Sequence, residues 1–396
     1  MSSSNLPLSV TARAGTNIAL VKYWGKRDPT LNLPAAGSLS LTLANFGSET
    51  AVRFVAEGGD NITVDGAPAP PHFAERVRRF LDLVRREARI ALPAEVSTRN
   101  SVPTAAGLAS SASGFAALAL AVSRAAGMNL ALPELSALAR RGSGSAARSI
   151  FGGFVEMAAG ERRDGSDACA TGLLPAAAWD VRLVVAITAE GPKAIGSTEA
   201  MDLTARTSPY YAGWLQAVPR DLAAARAAVL AQDLTGLGRV AERSAVRMHA
   251  CAMAADPPIL YWNGATLAAM ETVRRLRAAG TEAFFTIDAG PHVKVLCAAR
   301  DASLVEPALA ATPGVLRTLV LTPGPGAQIV REERRRAAHA PPWWARQWSR
   351  PPARSSWWAS TPSSTAAWPC WPRCHATRSR STCPGASHSQ PWSKKR

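Results

Sequence analysis

Residues 103–127, PTAAGLASSASGFAALALAVSRAAG, join a loop of small side chains to a run of helical composition. Gly107 lets the backbone turn without a clash at Cβ, and Ser110, Ser111 and Ser113 stand where the helix would begin. Free backbone N–H groups and the positive end of the helix dipole favour an anion at such a terminus, phosphate above all. A tightly packed turn from loop to helix, with a serine N-cap and no ligand, would give the same pattern. The stretch matches neither the P-loop GxxxxGK[ST] nor the dinucleotide fingerprint GxGxxG.

Three further segments carry groups suited to a charged substrate. The apolar run TNIALVKYWGKRD sets Lys22 and Lys26 beside aromatic residues. The segment RRGSGSAARSIFGG presents Arg148 after small residues, and an arginine can hold a carboxylate or phosphate through two parallel bonds. In FFTIDAGPHV, Asp288 directly follows an apolar strand, where a carboxylate is a candidate base. Taken singly, a solvated strand end, a surface arginine and a turn-forming aspartate explain these three features equally well.

The first 330 residues read as mixed α and β. Apolar residues at helical spacing predict helices within residues 72–91, 132–142, 233–255 and 263–280. The last of these starts at Asn263, a good N-cap, and ends at Gly280. Runs rich in β-branched and aromatic residues predict strands at 181–188, 283–288 and 293–298, and residues 51–66 read as a β-hairpin. Strand groups separate from helix groups favour an α+β fold over a doubly wound sheet.

The C-terminal segment, residues 331–396, is chemically different. It carries 13 Lys and Arg against two acidic residues, whereas residues 1–330 carry 32 against 27, so the net charge of +16 belongs mostly to this segment. It holds eight of the twelve tryptophans and no aliphatic residue larger than alanine, so it cannot bury enough apolar surface to fold. Three interpretations remain open: a polyanion-binding arm, translation in a wrong reading frame, and a zinc site formed by Cys370, Cys374, His375 and Cys383.

Several classes of protein are disfavoured by composition. No uninterrupted apolar stretch of about 18 residues exists, so no membrane span is expected. The N-terminal residues 1–15 lack the basic start and apolar run of a secretory signal. Cys169, Cys251 and Cys297 lack metal-ligand spacing and fit a reduced, cytoplasmic setting. We therefore expect a cytoplasmic protein with no bound structural metal, no nucleic-acid partner and no membrane partner.

The four motifs together are more specific than any one of them. NIALVKYWGKRD, PTAAGLASSASGFAALALA, RRGSGSAARSIFGGFVE, STEAMDLTARTS and TIDAGPHVKVL, spread over about residues 11–326, resemble the diphosphomevalonate decarboxylases. That family lies in the superfamily named for galacto-, homoserine, mevalonate and phosphomevalonate kinases (GHMP). The pairing of KYWGKRD with DAGP carries most of the specificity, because the kinases share the glycine–serine loop.

The resemblance implies an α+β, GHMP-kinase-like fold with two lobes and the active site between them. Residues 1–180 would form an N-terminal lobe, similar to domain 2 of ribosomal protein S5, that carries the ATP loop. Residues 181–330 would form an α/β C-terminal lobe carrying Asp288, and residues 331–396 would be a disordered or frameshift-derived tail. Relatives of this kind are commonly homodimers.

The resemblance also implies the reaction and the site. ATP, with Mg²⁺, would phosphorylate the C3 hydroxyl of (R)-mevalonate 5-diphosphate, and loss of CO₂ and phosphate would give isopentenyl diphosphate. Asp288 would orient or deprotonate the hydroxyl, Lys22 would keep Asp288 ionised, and Arg148 would hold the substrate carboxylate. Substrate-binding residues carried over from the family are Asn17, Tyr23, Trp24, Gly25, Lys26, Arg76, Ser143, Gly144, Ser145, Ala146, Ala147 and Thr198. Nucleotide-binding residues carried over are Ser101, Pro103, Gly107, Leu108, Ala109, Ser110, Ser111 and Ser113.

Other functions remain as alternatives. A mevalonate 5-phosphate decarboxylase or a mevalonate 3-kinase would use the same motifs. A polyanion-binding protein acting through the basic tail and a catalytically inactive homologue are the alternatives of a different class.

Overall fold

The structure, a computed structural model, describes residues 9–101, 110–191 and 193–333. Its first half comprises the elements β1 (Ser9–Val21), β2 (Lys26–Asp28), β3 (Leu33–Pro34), β4 (Ser38–Phe54), β5 (Asn61–Val64), β6 (Ala67–Pro68), α1 (Pro71–Ala88), β7 (Ala94–Asn100), α2 (Ser110–Ala125), α3 (Leu132–Gly142), α4 (Ala146–Ser149), β8 (Phe154–Met157) and β9 (Ala170–Leu174). Its second half comprises β10 (Val181–Ile187), α5 (Ser197–Thr207), α6 (Tyr211–Ala231), α7 (Leu234–Met253), α8 (Gly264–Ala278), β11 (Ala283–Ile287), β12 (Val293–Ala298), α9 (Ala302–Ala310), β13 (Arg317–Leu321) and β14 (Gln328–Glu333).

The first sheet is built around the long strands β1 and β4. Its order is β14-β1-β4-β7-β5-β6, with β8 and β9 extending from β4. Helices α1 and α2 cover one face, where Phe80, Phe115 and Val122 pack against Val52 and Val96. Alternation of buried and exposed positions along the N-terminal part of β1 fits a strand with one face on this core. Strand β14 returns from the second half of the chain to pair with β1, so both halves contribute to this sheet.

The second sheet is antiparallel, with the order β11-β12-β10-β13. One face packs against α8 and α9 through residues such as Val295 and Val305. The other face packs against α6 and α7, and its core continues into the end of β1 through Leu20 and Val21. This shared core fixes the ends of β1 and β11 side by side. The mixture of mainly antiparallel sheets and packed helices confirms the predicted α+β fold class.

At several helices the structure agrees closely with the bounds and caps predicted from the sequence. Helix α8 begins after Asn263, whose side chain accepts a hydrogen bond from the backbone N–H of Thr266 at 2.8 Å, as the N-cap prediction required. Helix α3 spans Leu132–Gly142 with proline in its first turn. Helix α7 is capped by Asp233, whose carboxylate accepts from the backbone N–H of Gly236 at 2.9 Å.

The predicted hairpin over residues 51–66 is wrong. Strands β4 and β5 do not pair with each other, because β7 lies between them, antiparallel to β4 and parallel to β5. Seven residues of β7 pair with β4, whereas β5 has four residues and only one buried position, Ile62. The longer strand therefore has more apolar surface to offer β4, and the short strand is displaced towards the sheet edge.

Candidate active site

A buried charge cluster lies where β1 and β11 end. Lys22 follows β1 and donates from Nζ to Asp288 Oδ1 at 2.7 Å and to the carbonyl oxygen of Ala19 at 2.8 Å. Lys294, on β12, lies with Nζ 3.2 Å from Asp288 Oδ2. Both lysine side chains are 2% exposed, while that of Asp288 is 34% exposed and faces a cavity. One carboxylate is thus held by two ammonium groups and keeps an open side.

The electrostatics of this cluster set the charge on Asp288. Burial alone would raise the pKa of its carboxyl, but the charges and hydrogen bonds of Lys22 and Lys294 outweigh burial and hold that pKa well below its usual range. Burial lowers the pKa of Lys22 to about 8, against the opposing attraction of Asp288. Asp288 is therefore an anion at neutral pH, and it can accept a hydrogen bond from a hydroxyl far more readily than it can take the proton completely.

Arg148, on α4, supplies a second buried cation. Its side chain is almost fully buried, with Nε 3.3 Å from Asn17 Oδ1 and Nη1 2.6 Å from Ser38 Oγ, and it lies over the ring of Tyr23. Burial lowers its pKa to about 10, so the guanidinium stays charged at neutral pH. Within residues 9–101, 110–191 and 193–333, no acidic side chain forms an ion pair with Arg148. A buried cation with only neutral oxygen partners is arranged to receive an anion.

The loop Tyr23–Lys26 is fixed by contacts from α6. Trp214 donates from Nε1 to the carbonyl oxygen of Trp24 at 3.2 Å. Gly25 has φ +101°, and a Cβ there would lie 1.9 Å from Tyr211 Oη, so only glycine fits. Lys26 donates to Asn32 Oδ1 at 2.6 Å and points into the cavity. The Trp24 side chain is buried in the hydrophobic core and anchors the loop there.

The turn from Gly142 to Ser145 forms the cavity wall next to Tyr23. A Cβ at Gly144 would lie 2.2 Å from Tyr23 Oη, so this glycine permits the aromatic ring to approach. Asn17 donates from Nδ2 to the carbonyl oxygen of Ser145 at 3.0 Å and to Ser149 Oγ at 2.8 Å, which ties the turn to β1. Tyr23 Oη is buried and has no hydrogen-bond partner among the described atoms.

The cavity between these walls has a volume of about 970 Å³. Among the described residues, eight cationic side chains and one acidic side chain line it: Lys22, Lys26, Arg76, Arg79, Arg86, Arg141, Arg148 and Lys193, with Asp288. Such an excess of positive charge favours a ligand with several negative charges, and the volume accommodates more than one small molecule.

Most predicted substrate-binding residues line this cavity. They are Asn17, Tyr23, Trp24, Lys26, Arg76, Ser143, Gly144, Ser145 and Thr198. Arg76 donates from Nη2 to the carbonyl oxygen of Gly142 at 3.2 Å and lies over the ring of Phe115. Ala146 and Ala147 do not line the cavity; their side chains are fully buried in hydrophobic clusters on either side of α4. Gly25 contributes backbone conformation to the loop.

The predicted nucleotide-binding residues are only partly described. Ser111, in the first turn of α2, lines the cavity. Ser113 is buried beneath it, with its Oγ 2.9 Å from Ser48 Oγ. Ser101 exchanges hydrogen bonds with the backbone of Gly47 and does not line the cavity. Residues 103–109, which include Pro103, Gly107, Leu108 and Ala109, and the side chain of Ser110 lie outside the described residues.

The comparisons with known proteins agree with this geometry. A family model for the diphosphomevalonate decarboxylase-like N-terminal domain matches residues 14–170, and one for the mevalonate 5-diphosphate decarboxylase C-terminal domain matches residues 183–314. Diphosphomevalonate decarboxylase of Aspergillus fumigatus is 36% identical over 315 residues, which cover 74% of this chain and 78% of that protein. The chain belongs to the diphosphomevalonate decarboxylase family.

Solved structures of the family share the fold. Mevalonate diphosphate decarboxylase from Staphylococcus aureus is 38% identical and matches with a TM-score of 0.78, covering 82% of this chain and 98% of that chain. The complex described as MDDEF with MVAPP, AMPPCP and magnesium is 41% identical and matches with a TM-score of 0.77, covering 81% of this chain and 98% of that chain. The predicted resemblance to diphosphomevalonate decarboxylases is thereby confirmed.

Several cavity and cluster residues were missed by the sequence analysis. Lys294 is one charge inside a buried strand, and that exception to the apolar pattern of VKVLCA was the available sign. Lys193 lies at the cavity mouth and donates to the carbonyl oxygen of Ala289 at 3.1 Å. Arg79 and Arg86 project from α1 and Arg141 from α3, where they read in sequence as ordinary solvated charges.

Proposed function

We propose that this chain catalyses the ATP-dependent decarboxylation of (R)-mevalonate 5-diphosphate to isopentenyl diphosphate, with release of ADP, phosphate and CO₂. The observation that carries the proposal is the Asp288 carboxylate, clamped by Lys22 and Lys294 at the base of a cavity that is otherwise cationic. Membership of the diphosphomevalonate decarboxylase family supports the same reaction.

Asp288 would orient the C3 hydroxyl for phosphoryl transfer. Its open carboxylate side faces the cavity, and its low pKa favours acceptance of a hydrogen bond before the hydroxyl proton is released. Transfer of the γ-phosphoryl group forms the C3–O–P linkage, and the hydroxyl proton passes towards Asp288 as the new bond forms. Phosphoryl transfer depends mainly on positioning and on stabilisation of charge, which this cluster supplies.

Arg148 would hold the carboxylate that is lost. Its buried guanidinium has no acidic partner among the described residues, and an arginine binds a carboxylate through two parallel hydrogen bonds. In the second step, the electrons of the C1–C2 bond form the C2=C3 double bond as the C3–O bond breaks and phosphate leaves. The cavity cations stabilise the departing phosphate.

The remaining cavity cations would bind the two phosphate-bearing molecules. We assign the 5-diphosphate to Lys26, Arg76 and the Ser143–Ser145 turn, which lie on the same side of the cavity as Tyr23. We assign the ATP phosphates to the N-terminal turn of α2, where Ser111 lines the cavity and backbone N–H groups are available. Both groups of residues line the same cavity as Asp288.

Magnesium fits this arrangement as a companion of the nucleotide. Within residues 9–101, 110–191 and 193–333 there is no group of three or more His, Cys, Asp or Glu side chains that could hold a metal ion. Mg²⁺ is commonly bound by substrate phosphates together with one or two protein oxygens and water. Ser111 is one such oxygen at the cavity, and the ion would neutralise phosphate charge during transfer.

The organisation of the chain is also proposed. A boundary between two lobes near residue 180 is supported by the two family matches, which end at residue 170 and resume at residue 183. We propose a cytoplasmic homodimer, as the resemblance implies; light scattering of the purified protein tests the dimer. None of the helices in the described ranges is long and apolar enough to cross a membrane. Of the predicted tail, residues 331–396, the first three residues belong to β14 and pair with β1, and residues 334–396 lie outside the described residues.

The deciding experiment supplies purified protein with ATP, Mg²⁺ and one of three substrates: mevalonate, its 5-phosphate or its 5-diphosphate. Equal amounts of ADP, phosphate and CO₂ with the 5-diphosphate alone are expected, and D288N should lower the rates of formation of all three products by the same large factor to a measurable residual rate. Turnover of the 5-phosphate would indicate the shorter-substrate decarboxylase. ADP without CO₂ would indicate a 3-kinase and contradict the role of Arg148.

A further inference from the structure

Lys294 occupies a position that the fold alone would fill with an apolar residue. In β12 the side chains of Val293, Val295 and Cys297 pack in the cluster formed with α8 and α9. Lys294 and Leu296 alternate with them and face the other side of the sheet, where Leu296 joins the core formed with α6 and α7. All of these positions are buried, and Lys294 carries the only charge in the strand.

The residues that pair with Lys294 in the sheet are uncharged. The strand pairing sets Lys294 opposite Val185 of β10 and Thr286 of β11. Val185 belongs to the apolar core on that face, so a leucine or methionine at 294 would continue the same surface. A buried ammonium group loses its hydration, and only a close carboxylate offsets that loss. Among the described residues, Asp288 is the acidic side chain that forms an ion pair with Lys294.

The two lysines bind different oxygens of one carboxylate. Lys22 holds Oδ1 at 2.7 Å, and Lys294 lies 3.2 Å from Oδ2. A carboxylate held through one oxygen can still rotate about its terminal torsion, which is broad and roughly two-fold. A second ammonium group on the other oxygen fixes that rotation. Lys294 does not line the cavity, so it reaches the reacting atoms only through Asp288.

We propose that Lys294 is a positioning residue for Asp288, holding Oδ2 so that the open side of the carboxylate faces the C3 hydroxyl of the substrate. The catalytic part of this assignment rests on the proposed decarboxylase function. The positional part concerns the orientation of Asp288 and can be tested without turnover.

The kinetic test is K294M, which removes the charge and keeps a side chain of similar length. Because Lys294 does not touch the cavity, the KM values for ATP and the 5-diphosphate should change by less than about twofold. The kcat should fall about 10- to 100-fold, the loss expected when a reacting group is misplaced by up to about 1 Å. L296M, on the same face of the same strand, is the matched control and should keep the wild-type kcat.

A double-mutant cycle distinguishes positioning from a general effect on the fold. In a D288N background, K294M should cause no further fall in kcat, because the group that Lys294 orients has already been changed. K294R, which keeps the charge, should recover part of the kcat lost in K294M. If K294M does not fold, K294Q replaces it in the cycle with the same expectations.

Crystal structures of the wild-type and K294M proteins without substrate test the positional part directly. The Asp288 carboxylate should keep Lys22 as its partner and rotate, or occupy two orientations, in the variant. An unchanged carboxylate would overturn the proposal even if kcat fell. A wild-type kcat in K294M, or an equal fall in both backgrounds, would also overturn it. A wild-type enzyme that does not turn over the 5-diphosphate would contradict the proposed function, while the pair of crystal structures would still decide the role of Lys294.

Discussion

Replacing Arg148 with methionine should abolish most of the activity while leaving the fold intact. The guanidinium is buried, and its hydrogen bonds reach only the neutral oxygens of Asn17 and Ser38. Losing a hydrogen bond to a charged group costs about 1.5–3 kcal/mol. Removing a buried cation that has no acidic partner also removes its desolvation penalty, which is on the order of a few kcal/mol. The two effects oppose each other, so the free energy of unfolding of R148M should lie within about 2 kcal/mol of the wild-type value.

The effect on catalysis has no such compensation. Truncating one partner of a buried, hydrogen-bonded charge pair costs about 2–5 kcal/mol, and here the other partner is the substrate carboxylate. At about 1.4 kcal/mol per tenfold change, kcat/KM should fall about 30- to 4,000-fold. The loss should affect ADP and CO₂ equally, because the same contact positions the substrate for both steps.

Arg140 provides the contrasting variant. It is as buried as Arg148, but it donates to the carbonyl oxygens of Leu31, Gly165 and Ala168 and does not line the cavity. R140M also removes a buried cation, but it takes the donor from three backbone carbonyl groups, two of them in buried hydrogen bonds, so it should lower the free energy of unfolding more than R148M does, by about 2–4 kcal/mol. It should retain turnover at temperatures where it is folded.

Chemical denaturation and initial-rate assays of both variants separate the two roles. The expected pattern is a stable, inactive R148M and a destabilised, active R140M. A kcat/KM of R148M within tenfold of the wild-type value would refute the assignment of the substrate carboxylate to Arg148. So would CO₂ release that persists while ADP formation falls.

Two further predictions concern the same cavity. Because burial lowers the pKa of Lys22 to about 8, kcat/KM should decline as the pH rises through about 8, where Asp288 loses a neighbouring charge. K22R keeps its charge throughout this range and should lack that decline, and a pH profile that still falls near pH 8 in K22R would assign it to another group. G144A places a methyl group against the Tyr23 hydroxyl and should raise the KM for the 5-diphosphate about 5- to 100-fold, as expected for overpacking of 1–3 kcal/mol. G213A, where the added methyl group meets no atom within 4 Å, is its control, and equal KM values in the two variants would contradict the steric argument.

Local chemistry made much of the fold predictable. The N-cap at Asn263 is a contact over three residues, and residues this close in sequence meet in whatever fold the chain adopts. The apolar runs that became β10, β11 and β12 have the composition of buried strands. The β4–β5 hairpin was predicted from the same local logic and is wrong, because a strand from beyond α1 competes for β4. Proximity in sequence favours a hairpin only when no better partner arrives later.

The candidate site was predictable where a residue type and its spacing were both unusual. KYWGKRD and DAGP mark Lys22 and Asp288, and the structure brings their side chains together over 266 positions of sequence. The local sign of Lys294 is a charge within an otherwise apolar strand, but the sequence does not show that its side chain faces Asp288, because that contact depends on the pairing of β11 with β12. Arg79 and Arg86 were overlooked for a related reason: a charged residue on an amphipathic helix usually faces solvent, and only the packing of α1 shows that these two face a cavity.

The charge arrangement of the site has a consequence for stability. Lys22, Lys294 and Arg148 are buried beside a single carboxylate: both lysines share Asp288, and Arg148 has no acidic partner among the described residues. These three cations exceed the one neighbouring anion by two charges, and this excess lowers the stability of the ligand-free state, since buried charge without a full counterion is costly. A polyanionic ligand supplies the missing negative charge. Part of its binding free energy therefore comes from relief of the repulsion among these buried cations. Lys22 and Arg148 also line the cavity in which phosphate leaves C3, and their positions are already fixed by β1 and α4 before the substrate arrives. Charge that is unfavourable for the free fold is therefore already oriented for the transition state, which is the condition under which electrostatic catalysis requires least reorganisation.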